Sequence, residues 1–241
     1  MLARLPGDLP PRGRGIVRIP SSLGSGSTAD SRKRGPGESV HSSSDTASPD
    51  RDGLVEALLS GKTIVVTDAR PGDRADRGIL AALAAATTPS VVNFMATHGR
   101  GIISLAMDIG GDRRLGLSPS AGARIPCEGD MLPLTSIEAT QCTGTGISAS
   151  DRALTIRVAG QIASTPADVI SPGHIFPALV GLGSGRIRSL PEEIQRFVKQ
   201  HTGYDVVVWC DILDDAGEIA SAARCRALAH DHDLPFVAIT G

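Results

Sequence analysis

Cys142-Thr143-Gly144-Thr145-Gly146-Ile147-Ser148-Ala149-Ser150-Asp151-Arg152-Ala153-Leu154-Thr155-Ile156 decides how this chain is read, together with Ser171-Pro172-Gly173-His174-Ile175-Phe176-Pro177 downstream. In the first stretch, glycines and small hydroxylated residues run directly into an Asp-Arg pair. Glycines let backbone N–H groups approach an anion closely, hydroxyls add donors and arginine adds charge. That chemistry suits a phosphorylated ligand, with Thr143, Thr145, Gly146, Ser148, Asp151, Arg152 and Thr155 as the binding candidates. A plainer reading stands beside it: Asp151 as a helix N-cap and Arg152 as a surface ion-pair residue. His174, set between Pro-Gly and Phe-Pro, reads as a site residue or as a hydrogen-bonded turn histidine.

Working outward, residues 51–241 carry alternating strand and helix patterns. Leu54–Ser60 reads as a short helix closed by Gly61, and Thr63–Thr67 as a β-branched buried strand. The alanine-rich run Ile79–Thr87 predicts a helix on propensity. Ser90–His98 predicts a second helix, Gly101–Asp108 a strand, Gly110–Asp130 a long loop and Leu134–Ala139 a strand. Asp151 opens a helix, and Leu190–Gln200 forms another with Pro191 at its start. Asp205–Asp211 is a strand in which Trp209 is expected to be core. Ser221–His232 reads as an amphipathic helix and Phe236–Ile239 as a final strand. The class is therefore α/β, built on a mixed α+β sheet. Residues 1–50 are rich in Gly, Pro, Ser and Arg and read as a disordered low-complexity tail. Acids at Asp8, Asp30, Glu38 and Asp45 argue against a targeting peptide there.

The composition excludes several classes. A formal net charge of -2 over 241 residues gives no electrostatic case for nucleic acid, and 2% aromatics gives no base-stacking platform. No apolar run reaches membrane-spanning length. Cys127, Cys142, Cys210 and Cys225 lack CxxC spacing and read as free thiols, which favours a reducing cytoplasm.

The two stretches resemble the signature of the 3,4-dihydroxy-2-butanone 4-phosphate synthase family, riboflavin-pathway enzymes acting on ribulose 5-phosphate. Further matches stand in order along the chain: Asn93-Phe94-Met95, His98 to Ile103, Leu115-Gly116-Leu117, and Cys210 to Gly217. The resemblance covers about residues 54 to 240. It implies the family's fold, a homodimer with sites near the subunit interface, and a lyase reaction in which the sugar is enolised, rearranged and loses formate. It also implies a divalent cation, Mg²⁺, gripping vicinal oxygens from an acidic loop. Some family members carry a fused GTP cyclohydrolase II domain; none is expected within this sequence.

The chain departs from the family where that chemistry is done. The loop that resembles Asp-Arg-Glu-Asn-Glu-Gly-Asp is Asp73-Arg74-Ala75-Asp76-Arg77-Gly78-Ile79. Arg74 and Gly78 match, whereas Ala75, Arg77 and Ile79 stand where acids are expected. Ser189-Leu190-Pro191-Glu192 stands for Gly-His-Thr-Glu, so a metal-ligand histidine becomes Leu190. Ser104 replaces a cysteine, Ser171 an arginine, and Asp211 a glutamate. The implied catalytic candidates are His174, Asp211 and Asp76, with Arg74 and Arg100 joining the phosphate-binding set. Arg100 reads equally as the partner of a loop carboxylate. No cofactor is expected, and no metal ligand is assigned. Mg²⁺ enters only if the ancestral activity persists through substitute carboxylates such as Asp68, Asp73 or Asp76.

Three functions follow from this pattern. One is a repurposed enzyme on a phosphorylated or polyol small molecule, working without the family's metal site in specialised metabolism. Another is a genuine synthase converting ribulose 5-phosphate to dihydroxybutanone phosphate and formate. The third is a non-catalytic binding or partner subunit, pairing with an active paralogue.

Overall fold

Short β-branched and small-residue runs, buried on both faces, set the architecture. The computed structural model describes residues 16–21, 51–72, 77–123, 131–182 and 188–241. The strands are β1 (Val17–Pro20), β2 (Ile64–Asp68), β3 (Gly78–Leu83), β4 (Ser104–Met107), β5 (Leu132–Pro133), β6 (Ile137–Ala139), β7 (Val169–Leu179), β8 (Val206–Asp211) and β9 (Phe236–Thr240). They form a mixed sheet in the order β1-β9-β2-β3-β8-β4-β7-β5, with β6 also paired to β7. The β2/β9 and β4/β7 pairs are parallel, whereas β3 runs antiparallel to both β2 and β8. The expected α/β class with a mixed sheet is the one observed.

Alternation along the central strands divides the core into two layers. Leu80, Ala82, Val206, Val208 and Cys210 face a layer that includes α2 (Pro89–Phe94), α4 (Ala149–Gly160) and α6 (Ala222–Asp231). Ile79, Ala81, Leu83 and Val207 face the other layer, which holds α1 (Arg51–Leu59) and α5 (Leu190–Thr202). The remaining helix, α3, spans Ile109–Leu115. The starts of α4 and α5 therefore lie on opposite faces of the sheet.

Three expectations are corrected. Ile79–Thr87 is not a helix: Gly78–Leu83 is the fully buried strand β3, followed by a short 3₁₀ turn at Ala84–Ala86. Burial on both faces overrides alanine's helix propensity. The turn also lies tight against α4, where a Cβ on Gly160 would come within 2.5 Å of the Ala85 nitrogen. The long loop expected from Gly110 contains α3, hidden in sequence by its two glycines. Asp108 caps it by accepting from the Gly110 and Gly111 N–H groups at 2.9 and 3.3 Å. Finally, the expected tail holds ordered structure: Val17 and Ile19 of β1 are buried, and the strand pairs in parallel with β9. Alternating apolar residues in Val17-Arg18-Ile19-Pro20 supply a one-faced edge strand.

Of the cysteines, Cys210 and Cys225 are buried free thiols and Cys142 is half-buried. Burial pushes the Cys210 thiol up to about 12.

Candidate active site

The signature loop leaves β6 and enters α4. Ser148 caps that helix, its Oγ accepting from the Asp151 N–H at 3.0 Å. Asp151 thus lies within the first turn, and the cap itself is the serine. Thr155 Oγ1 donates to the Asp151 carbonyl and accepts from the Ala139 N–H, both at 3.0 Å. With the residue 1% exposed, that hydroxyl is committed to tying α4 to β6 and is unavailable to an anion. Arg152 is half-buried, its Nε buried without a partner, and it lies near enough to Cys210 to oppose the rise of that thiol's pKa. Thr143, Thr145 and Ser148 are exposed, so the loop's hydroxyl face points outward while Arg152 and Thr155 turn inward.

His174 lies on β7, where its Nδ1 sits 3.1 Å from Glu138 Oε2 on β6. The imidazole is 43% exposed and the carboxylate 13%. Gly146 has φ +79°, and a Cβ there would fall 1.8 Å from the same Glu138 oxygen. One carboxylate thus joins both motifs: it orients His174 and fills the space that the glycine leaves. Sequence reasoning passed over Glu138. The available signal was an acid between two apolar strand residues, Ile137 and Ala139, just ahead of the signature loop.

Arg100 takes the loop-carboxylate role. It follows a π-turn at Met95–Gly99, adopts φ +68°, and donates to the Asp214 carbonyl at 3.0 Å and Asp215 Oδ1 at 2.9 Å.

A separate cleft of about 240 Å³ opens on the α5 face of the sheet. Asp68, Arg77, Ile79, Arg188, Trp209 and Asp211 line it, with Ser189, Leu190 and Pro191 at the start of α5 and Met131 completing the wall. Ile79 and Asp211 are cross-strand partners on β3 and β8, and Trp209 lies two residues back on the same face. Trp209, expected in the core, is instead a half-buried wall whose Nε1 is buried without a hydrogen-bond partner. Burial pushes the Asp211 carboxyl above the usual range, and the Arg77 guanidinium pulls against that rise.

Behind the cleft is a buried ionic cluster. Arg70 donates to both oxygens of Asp68, at 2.8 and 2.6 Å, and to Glu193 at 3.2 Å. Arg188 reaches Glu192 at 3.4 Å and donates to the Ser21 carbonyl at 2.7 Å. Burial raises the carboxyls of Glu192 and Glu193, with the nearby arginines opposing it. The two acids are buried, being 8% and 4% exposed. Arg74, Asp73 and Asp76 lie outside the described residues.

The model of the 3,4-dihydroxy-2-butanone 4-phosphate synthase family matches residues 52–241. The chain belongs to that family. It is 36% identical over 188 residues to the 3,4-dihydroxy-2-butanone 4-phosphate synthase of Neisseria meningitidis serogroup A, covering 78% of this chain and 51% of that protein. The crystal structure of the Candida albicans synthase is similar with a TM-score of 0.66 and 26% identity, over 78% of this chain and 92% of that one. A solved synthase in complex with two magnesium ions is similar to the same degree, at 26% identity and a TM-score of 0.66, over 78% of this chain and 91% of that one. The chain spans about half the length of the curated relatives it matches.

Family membership gives the cleft its meaning. Arg77, Ile79, Ser189, Leu190 and Asp211, which the resemblance read in the sequence marks as departures from the family's motifs, all border it. The described residues there do not suit a hard divalent cation, which takes several oxygen ligands. Both Asp68 oxygens are held by Arg70, and no ion pair or side-chain hydrogen bond among the described residues holds the Arg77 guanidinium, which faces Asp211. Among the described residues, no group of three or more His, Cys, Asp or Glu side chains is placed to hold a metal ion. Nor is any helix among them long and apolar enough to cross a membrane.

Proposed function

We propose that the chain is a repurposed synthase-family enzyme that acts on a phosphorylated or polyol small molecule in the α5 cleft, without the family's metal site. The observation that carries this reading is the convergence of Arg77, Ile79, Leu190 and Asp211 on one cleft. Changes scattered over the surface would say little; changes gathered on one wall alter what that wall can bind. Asp211 is the proton-transfer group in this reading. Its raised carboxyl is closer to the working pH than an ordinary aspartate, as an acid–base catalyst requires. Arg77 supplies positive charge to an oxygen that becomes negative when a proton leaves the neighbouring carbon.

The protein is proposed to act as a homodimer. Ile147 in the signature loop and Ile170 and Phe176 on β7 are 54%, 53% and 46% exposed, apolar side chains that a second copy would cover. His174 and Glu138 belong to the same region, so a dimer is also a means of bringing them toward a cleft. A cytoplasmic setting in specialised metabolism completes the proposal.

A second reading is the family's own activity, favoured by 36% identity to a curated synthase. ¹³C NMR of labelled ribulose 5-phosphate, incubated with the protein in Mg²⁺ or in EDTA, separates the two. The repurposed reading expects no formate above the no-enzyme control in either condition, with broadening of the sugar-phosphate lines as it binds. Metal-dependent formate overturns it in favour of the family reaction. Absence of both formate and broadening removes the enzyme role for this sugar phosphate and leaves the partner-subunit reading, which light scattering showing only monomer, alone and with an active paralogue, would overturn.

A further inference from the structure

The α5 cleft identifies the chemical class of its ligand, an inference that rests on the reading that a small substrate binds there. Its walls fall into two sets. Ile79, Leu190, Pro191 and the Trp209 ring are largely apolar. Four charged residues also line it, and two of these are already engaged. Asp68 is held at both oxygens by Arg70, and Arg188 by Glu192 and the Ser21 carbonyl. That leaves Arg77 and Asp211 to meet a ligand. Arg77 is exposed and, among the described residues, its guanidinium has no hydrogen-bond partner.

A guanidinium offers its N–H donors in a planar fork that matches the two oxygens of a carboxylate or phosphate. The same charge repels a cation. Ile79, Leu190 and the Trp209 ring form an apolar wall for the rest of the ligand. We propose that the cleft is an oxyanion site, in which Arg77 grips the paired oxygens of a small carboxylate- or phosphate-bearing ligand with no metal ion between them. Asp211, across the cleft on β8, meets the remainder of that ligand. At about 240 Å³ the cleft has room for a metabolite of a few carbons.

The chain's single tryptophan is the reporter, because Trp209 borders the cleft. Its indole ¹H–¹⁵N resonance is one peak with one assignment. The full chain, in EDTA, is titrated with oxalate and separately with inorganic phosphate. The expected result is a saturable shift of that peak without metal, unchanged on adding Mg²⁺ in place of EDTA in the phosphate series. Whichever anion saturates first identifies the carboxylate or the phosphate as the group held. Arg77→Ala should weaken binding about tenfold or more, Arg77→Lys should weaken it less, and the remaining amide spectrum should stay in place. A shift that needs Mg²⁺, an undiminished shift in Arg77→Ala, or no saturable shift with either anion overturns the proposal. Turnover plays no part in this readout. Metal-free anion binding without turnover keeps the site and removes the enzyme role, whereas metal-dependent binding with formate release removes both.

Discussion

The signature loop and the α5 cleft lie on opposite faces of one sheet, and their residues are held to different standards. In the loop region several recognisable residues have a structural duty. Ser148 caps α4, Thr155 ties α4 to β6, Gly146 makes room for Glu138, and Gly173 passes against Ile137. In the cleft, Arg77 is exposed and unpaired among the described residues, and Leu190 simply packs at the start of α5. The comparison teaches that a motif can be legible because packing demands it, while residues that line a cleft carry fewer packing duties.

The sharpest way to break that contrast is Gly173→Ala. A Cβ there would lie 2.1 Å from both the carbonyl carbon and oxygen of Ile137 and 2.5 Å from the Glu138 nitrogen. These are backbone atoms, which cannot swing aside. The expected loss is about 4 kcal/mol, or failure to fold, read from the urea midpoint. Arg77→Ala should change the same midpoint by no more than about 0.5 kcal/mol. Equal effects at the two positions would end the distinction between a packed motif and a free cleft.

Next in size is Arg70→Met, which tests the floor of the cleft. Asp68 and Glu193 are each 5% exposed at the side chain and share this one guanidinium. Removing one member of a buried ionic cluster leaves uncompensated charge, and about 3 kcal/mol of stability should go with it. A cost below about 1 kcal/mol would mean that water or Arg188 already neutralises the two acids.

Much of the fold was legible in sequence, for reasons that can be named. β2, β8 and β9 are β-branched runs bounded by polar residues, and α5 has a serine cap, a proline in its first turn and Gly203 beyond its end. β3 is not legible because Gly-Ile-Leu-Ala-Ala-Leu carries no polar residue to reveal its period, and only its neighbours β2 and β8 decide it. β1 was missed because its pattern is short and lies between low-complexity runs. The site was legible as motifs but not as space. His174 and Asp211 could be picked by residue type, whereas Glu138 and Arg188 acquire importance only from what folding places beside them.

A smaller effect should appear in pH dependence. Burial raises the Glu193 carboxyl above its unfolded value. Below the unfolded value the acid is protonated in both states, so burial adds no ionisation penalty. As pH rises from the unfolded toward the raised folded value, the unfolded chain releases its proton first, and stability falls across that window. The wild type should therefore lose stability relative to Glu193→Gln as pH rises above the ordinary glutamate value. Urea midpoints at several pH values for the two proteins check this. A difference that grows in the opposite direction would mean that Arg70 and Arg188 outweigh burial and depress the carboxyl.

The smallest effect expected is at Arg100, and it bears on which region holds an anion. Its guanidinium binds the Asp214 carbonyl and Asp215, with the two side chains 44% and 83% exposed. Exposed pairs of this kind contribute about 0.2–1 kcal/mol. Arg100→Ala should cost that amount, and less at high salt, where screening has already removed most of the attraction. Arg100→Gly should recover part of it, because φ +68° suits glycine better than any residue with a Cβ. Inorganic phosphate then separates a loop clasp from a ligand-binding arm. If phosphate stabilises the wild type and Arg100→Ala equally but fails with Arg77→Ala, the anion belongs to the cleft and Arg100 serves the turn at Asp214. The reverse pattern would move the anion to the end of β8 and leave Arg77 without a ligand to explain it.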